Sequence, residues 1–315
     1  MKIIIEQILI LGIIGLIGFI AFKLKAISKE NNAGLVKVII KITLPLLIFT
    51  TFAGTKLNSE IISNFPYLFI AAIFSVSVLF LLSRMSAKIL KLDKENTALH
   101  NTHTMFGNVV FLGFPLLNAI YPGGEGLIYA TVFQLGHDGL MWTWGIFILN
   151  NGSKTKSTKN WKHLINPTTI SFILGIIFLL VKIKIPELIF KPLSSIGHTT
   201  IYLSMIYVGG ILAQVNAKSL ISNLRSYILS FNKLILGPGI LLLTFFILIK
   251  LGVNIPEKAI VSSVLQAAMP CMIIISVLAQ EMGLNANQAV ENIFVSSILS
   301  LITLPGVYWL ATCVL

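Results

Sequence analysis

Three places in this chain hold residues able to do chemistry inside otherwise apolar surroundings. The first is Phe106-Gly107-Asn108-Val109-Val110-Phe111-Leu112-Gly113-Phe114-Pro115. Pro115 has no amide hydrogen to donate and disrupts the turn before it. Gly107 and Gly113 add backbone freedom, and Asn108 brings two donors and an acceptor one to two turns away. In lipid an unsatisfied backbone group is expensive, so such a break is tolerated only where it lines a cavity or packs against protein. The second place is Gln266-Ala267-Ala268-Met269-Pro270. The third is His137-Asp138, in the middle of the apolar run from Thr131 to Ile146. A carboxylate at that depth can bind a cation or exchange a proton, and the histidine can share or tune that proton. The same residues also allow structural readings: a kinked helix whose asparagine is satisfied by a neighbour, and a neutral His–Asp bridge between helices.

The elements that position these residues are membrane helices. A span needs about 20 mostly apolar residues. Ten stretches qualify: 3–22, 36–54, 65–88, 98–120, 126–149, 165–182, 196–214, 226–250, 257–281 and 288–312. The first could pass for a signal peptide, but it has no cleavage site of small residues and is followed by Lys23 and Lys25, so it is expected to be a retained helix. The chain resembles itself at an offset of 159 residues: Ile62-Ser63-Asn64 recurs as Ile221-Ser222-Asn223, each before a long apolar run. The proline-bearing fourth stretch then falls opposite the proline-bearing ninth. Five helices per half force the second half to enter the membrane from the other side, which gives an inverted repeat. The expected division is 1–150 for the first five-helix repeat, 151–164 for a cytoplasmic loop, and 165–315 for the second repeat. Two interrupted helices at matching positions point to a binding site between the halves. Helix N-termini exposed there suit an anionic group such as a carboxylate.

Composition leads to the same class. The chain has 315 residues with 11% charged and a mean hydropathy of +0.92; a soluble domain averages roughly 25% charged. The lipid bilayer must therefore be the solvent for much of it. The net charge of +12 invites a nucleic-acid reading, but the basic residues cluster between apolar runs, as at Lys23, Lys25, Lys29 and Lys37, and no nucleic-acid motif accompanies them. The pattern fits loops at an anionic membrane face. The basic excess puts the odd-to-even loops in the cytoplasm and both termini outside, in the cell membrane. Cys271 and Cys313 lie in apolar runs and suggest neither a disulfide framework nor a thiolate metal site. His100 and His103 could share a helix face, but without a third ligand they read as a polar helix end. Glu281 and Glu291 are expected to reach water; Tyr202, Tyr207 and Gln214 could line a cavity. Gly209-Gly210 should let helices approach closely.

At these residues the chain resembles the auxin efflux carrier family of permeases. Four stretches carry the likeness: Gly107 through Leu117, Asn166-Pro167-Thr168-Thr169, Gln266 through Glu281, and Thr303-Leu304-Pro305. The resemblance implies an all-α fold of ten transmembrane helices as two inverted five-helix repeats. It implies a scaffold bundle and a mobile transport bundle, with broken helices 4 and 9 crossing at the substrate site, as in bile-acid symporters and sodium–proton antiporters. It also implies that Asn108 helps hold a substrate carboxylate, that Pro115 is the helix-4 proline, and that Pro270 opens the helix-9 break. Ala267 and Ala268 stand near the place facing Asn108, so a symmetric asparagine pair is absent. The central loop is short, which leaves auxin itself unsupported. The cargo implied is a small organic anion, malate or another dicarboxylate among the candidates. The expected substrate site is Asn108, Gly113, Pro115, Gln266 and Pro270, with His137 and Asp138 for coupling to H+ or Na+. No cofactor, metal or catalytic residue is expected, and a homodimer is admitted. The rivals are a sodium–proton antiporter or sodium-coupled symporter using Asp138, a membrane enzyme using His100, His103, His137 and Asp138, and a structural scaffold.

Overall fold

The computed structural model describes residues 2–54, 59–153, 167–181, 183, 185–214 and 223–314. Most of the loop expected at 151–164, Asn166, and Ile221-Ser222 of the internal match lie outside them. Helix fills the described residues of all ten apolar stretches, apart from breaks at 106–108 and 268–273 and a turn after Leu212. The helices are α1 (Lys2–Lys23), α2 (Lys29–Val38), α3 (Leu44–Gly54), α4 (Ser59–Ile89), α5 (Lys94–Met105), α6 (Phe114–Ile120), α7 (Glu125–Leu140) and α8 (Ile146–Gly152). They continue as α9 (Pro167–Val181), α10 (Glu187–Leu212), α11 (Leu224–Phe231), α12 (Gly237–Lys250), α13 (Glu257–Ala267), α14 (Ile274–Glu281) and α15 (Ala286–Val314). Five stretches are long and apolar enough to cross a membrane: Glu30–Gly54, Ile61–Ile89, Glu187–Leu212, Leu224–Lys250 and Ala286–Cys313. Among the described residues the extended pairing is one isolated bridge, Gly107 to Cys271.

The distribution of polarity is inverted relative to a water-soluble bundle. Helix α1 exposes Leu9, Ile10, Ile13, Leu16, Ile17 and Ile20, and α9 exposes Ile170, Ile173, Leu174, Ile177 and Leu180. On α5, by contrast, His100, Asn101, Thr102, His103 and Thr104 are all buried. A helix that polar is stable at the centre only when protein surrounds it, and α5 packs against α4, α8 and α11. Apolar surface outside and polar residues inside is the arrangement lipid demands. The polar helix end expected at His100 and His103 is therefore an interior segment instead. Tyr202 is exposed, whereas Tyr207 is buried against Phe111 with ring centroids 5.6 Å apart.

Four stretches are joined through π-helical turns, Ile39–Thr43, Val109–Gly113, Met141–Gly145 and Asn232–Leu236. Three of these run directly into a first-turn proline: Pro45, Pro115 and Pro238. A proline clashes with the carbonyl four residues back, and one wider turn relieves the clash without ending the helix. Pro115 thus widens the turn ahead of it, while the unwound residues are Phe106 to Asn108, further upstream.

Packing separates two groups of helices. Helices α1, α2–α3, α9 and α10 pack chiefly on one another, and α4–α8 with α11–α15 form the larger group. Each group draws helices from both halves of the sequence. In the first, α1 and α10 meet through glycine: a Cβ on Gly209 would lie 1.9 Å from the Gly15 carbonyl oxygen, and one on Gly18 would lie 2.2 Å from that of Ile206. The close approach expected at Gly209-Gly210 is present there.

Candidate functional site

The two breaks meet. The Asn108 amide donates to the Pro270 carbonyl at 2.7 Å, and the Met272 amide donates to the Phe106 carbonyl at 3.1 Å. Each unwound segment thus supplies the partners the other lost, which is how irregular backbone survives away from water. The residue opposite Asn108 is Pro270 rather than Ala267 or Ala268. The breaks differ in length, 106–108 against 268–273, so a constant offset of 159 residues does not mark the residues that face each other. Gly107 is required for space and not for an unusual backbone angle. A Cβ on it would stand 3.0 Å from the Met269 carbonyl oxygen and 3.1 Å from the Lys233 Nζ.

His137 fastens α7 to this crossing. Its Nε2 accepts the Gly107 amide at 3.0 Å, and its Nδ1 lies 3.0 Å from Asp138 Oδ1. An Nε2 facing an N–H donor must carry its lone pair, so the proton resides on Nδ1 and is donated to the carboxylate. The imidazole packs edge-on to Phe106 at 5.3 Å and lies against Phe133. Asp138 Oδ2 accepts from Gln134 Nε2 at 2.8 Å, one helical turn back. The Asp138 side chain is 20% exposed and faces cavities, so it is neither fully buried nor isolated.

Asn108 caps the turn that follows it, its Oδ1 accepting the Phe111 amide at 3.2 Å. That donor fixes which end of the carboxamide is oxygen. The Nδ2 end is then left without a hydrogen-bond partner among the described residues. Asn108 stands in the wall of two cavities between the helix groups. One, of about 230 Å³, is bounded by α1, α10 and α15 and includes Pro270, Ser297 and Ser300. The other, of about 100 Å³, includes Gly107, Gln134, Asp138, Trp142 and Thr168. A neighbouring cavity of about 260 Å³ shares Gln134, Asp138, Trp142 and Thr168 with it.

The remaining expected site residues pack behind these walls. Gln266 is fully buried, and a Cβ on Gly113 would lie 2.2 Å from its Oε1. Both carboxamide atoms of Gln266 lack hydrogen-bond partners among the described residues. Pro115 is buried in the first turn of α6. His100 Nε2 lies 2.7 Å from Ser86 Oγ; among the described residues both buried His103 nitrogens lack partners and no three potential ligands cluster as a metal site. Glu291 accepts from Asn223 at 2.7 Å, and the Gln214 side chain donates to the Gly210 carbonyl.

Sequence reasoning missed Lys233, 1% exposed, whose Nζ donates to the Met105 carbonyl at 3.2 Å beside the crossing. Its signal was legible: a cation in the interior of the apolar stretch Leu224–Lys250, whose other cations, Arg225 and Lys250, stand at its ends. Gln134 was missed too, though its four-residue spacing from Asp138 places both on one helix face.

Residues 3–308 match the family described as membrane transport protein. The chain is 26% identical over 310 residues to an uncharacterized transporter of Methanothermobacter thermautotrophicus, an alignment covering 95% of this chain and 96% of that one. It is 27% identical over 315 residues to an uncharacterized transporter of Methanocaldococcus jannaschii, covering 97% and 98% respectively.

Proposed function

The chain belongs to the membrane transport protein family, the permeases of auxin efflux carrier type, and from that premise we propose that it is a secondary transporter of a small organic anion working by elevator-type alternating access. The observation that carries this reading is the unpartnered Asn108 Nδ2 in the wall of two cavities, where two half-helices begin. The positive ends of those half-helices favour a carboxylate, and the amide donates to it. Pro270 shares the larger cavity's wall; Gly113, Pro115 and Gln266 hold the crossing's shape from behind.

In this reading the chain spans the membrane ten times as two inverted repeats, 1–150 and 165–315, joined by a cytoplasmic loop at 151–164. Both termini lie outside the cell membrane. The group of α1, α2–α3, α9 and α10 is the scaffold, and the larger group carries the cargo. His137 and Asp138 couple movement to H+ or Na+, since the Asp138 carboxylate faces two of the cavities and is held by Gln134 and His137. A second copy of the chain is admitted as a partner.

The test begins with a thermal-shift screen of organic acids on purified protein, with and without sodium and across pH. Binding of the acid found is then measured on Asn108→Ala and Asn108→Asp. A hydrogen bond to a charged acceptor contributes about 1.5–3 kcal/mol, so the alanine variant is expected to bind roughly ten- to a hundredfold more weakly. The aspartate variant should bind more weakly still, because it sets a like charge beside the anion where screening is poor. A cation site predicts the reverse order. The anion reading fails if Asn108→Asp binds the acid as well as the parent does.

A further inference from the structure

Lys233 is the large charged side chain that the fold buries most completely, at 1% exposure. It projects from the π-helical turn Asn232–Leu236 to the end of α5, where Met105 is the last helical residue before the break. Its Nζ has one hydrogen-bond partner among the described residues, the Met105 carbonyl at 3.2 Å, and no carboxylate lies within 4.0 Å of it there. An ammonium has three donors, so two remain unused. The Cys271 thiol and the His137 imidazole are titratable groups that interact with it electrostatically. That imidazole is the neutral Nδ1-H form fixed by the Gly107 amide. Among the described residues no carboxylate pairs with Lys233 directly. What answers its charge is the carbonyl end of α5, where the helix dipole is negative and the last carbonyls have lost their partners to the break.

The carbonyl end of a half-helix in a broken transporter helix is the kind of place that holds a free monovalent cation. We propose that Lys233 is a tethered cation occupying such a site from within the chain, so that no free ion is needed at the α5 end of the crossing. Gly107 preserves the room: a Cβ there would come within 3.1 Å of Nζ and 3.2 Å of Cε. Gly107 also lines the smaller cavity beside Asn108. The Lys233 side chain therefore sits directly behind the wall where the anion is proposed to bind. The inference rests on the transporter reading for the precedent of a cation at a half-helix end and for that consequence.

Removing the charge should leave a vacant cation site. Lys233→Met and Lys233→Gln are purified in methylammonium chloride. Their melting temperatures, and the parent's, are then measured in methylammonium, sodium and choline chlorides at equal ionic strength. Both variants are expected to melt below the parent in choline. Methylammonium, with sodium as a weaker substitute, should restore most of the loss and shift the parent by less. Variants that respond to the small cations no more than the parent does overturn the proposal. So does a Gln variant with parental stability in choline, since a hydrogen bond would then suffice. Failure of either variant to yield folded protein even in methylammonium also overturns it. The readout is cation-dependent stability and not acid binding, so its failure leaves the Asn108 test untouched.

Discussion

His137 shows how much one ring nitrogen can determine at the residue scale. Its Nε2 is the acceptor for the Gly107 amide, a donor that has left its helix and lies buried at the crossing. Leaving such a donor unpaired costs about 1–3 kcal/mol. His137→Phe preserves the ring contacts with Phe106 and Phe133 but offers no acceptor, so it is expected to lower stability by about that amount. His137→Gln, whose carboxamide oxygen can accept, should recover part of it. Thermal melting of the two variants in detergent checks this, and equal stability of both would remove the Gly107 bond from the account. At Asp138 the carboxylate already holds two partners, Gln134 and the His137 Nδ1–H. Any coupled ion must compete with those bonds, which suits reversible binding better than permanent ligation.

Helices in this protein are shaped by their neighbours more than by their own composition. Helix α5 is polar and buried, α9 is apolar and largely exposed, and both follow from lipid outside and protein inside. The α1–α10 pair depends on the absence of side chains, because lipid gives helices no hydrophobic reason to associate and close van der Waals contact must supply it. Gly209→Ala puts a Cβ 1.9 Å from the backbone oxygen of Gly15, which no rotamer can relieve. It should cost about 1–3 kcal/mol, the range for overpacking. Gly306→Ala on α15 meets nothing within 4 Å and should be neutral or gain about 0.5–1 kcal/mol from helix propensity. Melting temperatures of the pair make the comparison. A tolerated Gly209→Ala would mean that the two helices can separate without consequence.

For the molecule as a whole, the two helix groups meet along a surface containing both cavities and the crossing. Phe111 and Tyr207 sit across that surface with ring centroids 5.6 Å apart. An elevator requires this contact to slide. With Cys271 and Cys313 replaced by serine and alanine respectively, Phe111→Cys with Tyr207→Cys should be joined by a short bifunctional thiol reagent. The link is expected to stop uptake of the acid identified in the screen while leaving its binding intact. A linked carrier that still transports would exclude sliding at this contact and favour local gating around a fixed interface.

Much of this was determined by the sequence alone. Long apolar runs, scarce charge and basic loops specify a multi-pass helical membrane protein, because lipid penalises every unpaired backbone group and leaves the helix as the local solution. Pro115, Pro270 and the residues around them marked the two disturbed helices for the same local reason. The contacts were decided by tertiary structure. Asn108 faces Pro270 across breaks of different length, 106–108 against 268–273, a difference that no constant offset between two sequence halves records. Gly107 is glycine because Met269 and Lys233 crowd it, although Lys233 lies more than a hundred residues away in the chain. His137 holds its proton on Nδ1 because of an amide thirty residues upstream. Gln266 and Gly113 touch each other instead of lining the cavities. Local sequence determines where a helix must break, while the partners of the freed groups come from distant segments, and only packing decides which ones arrive.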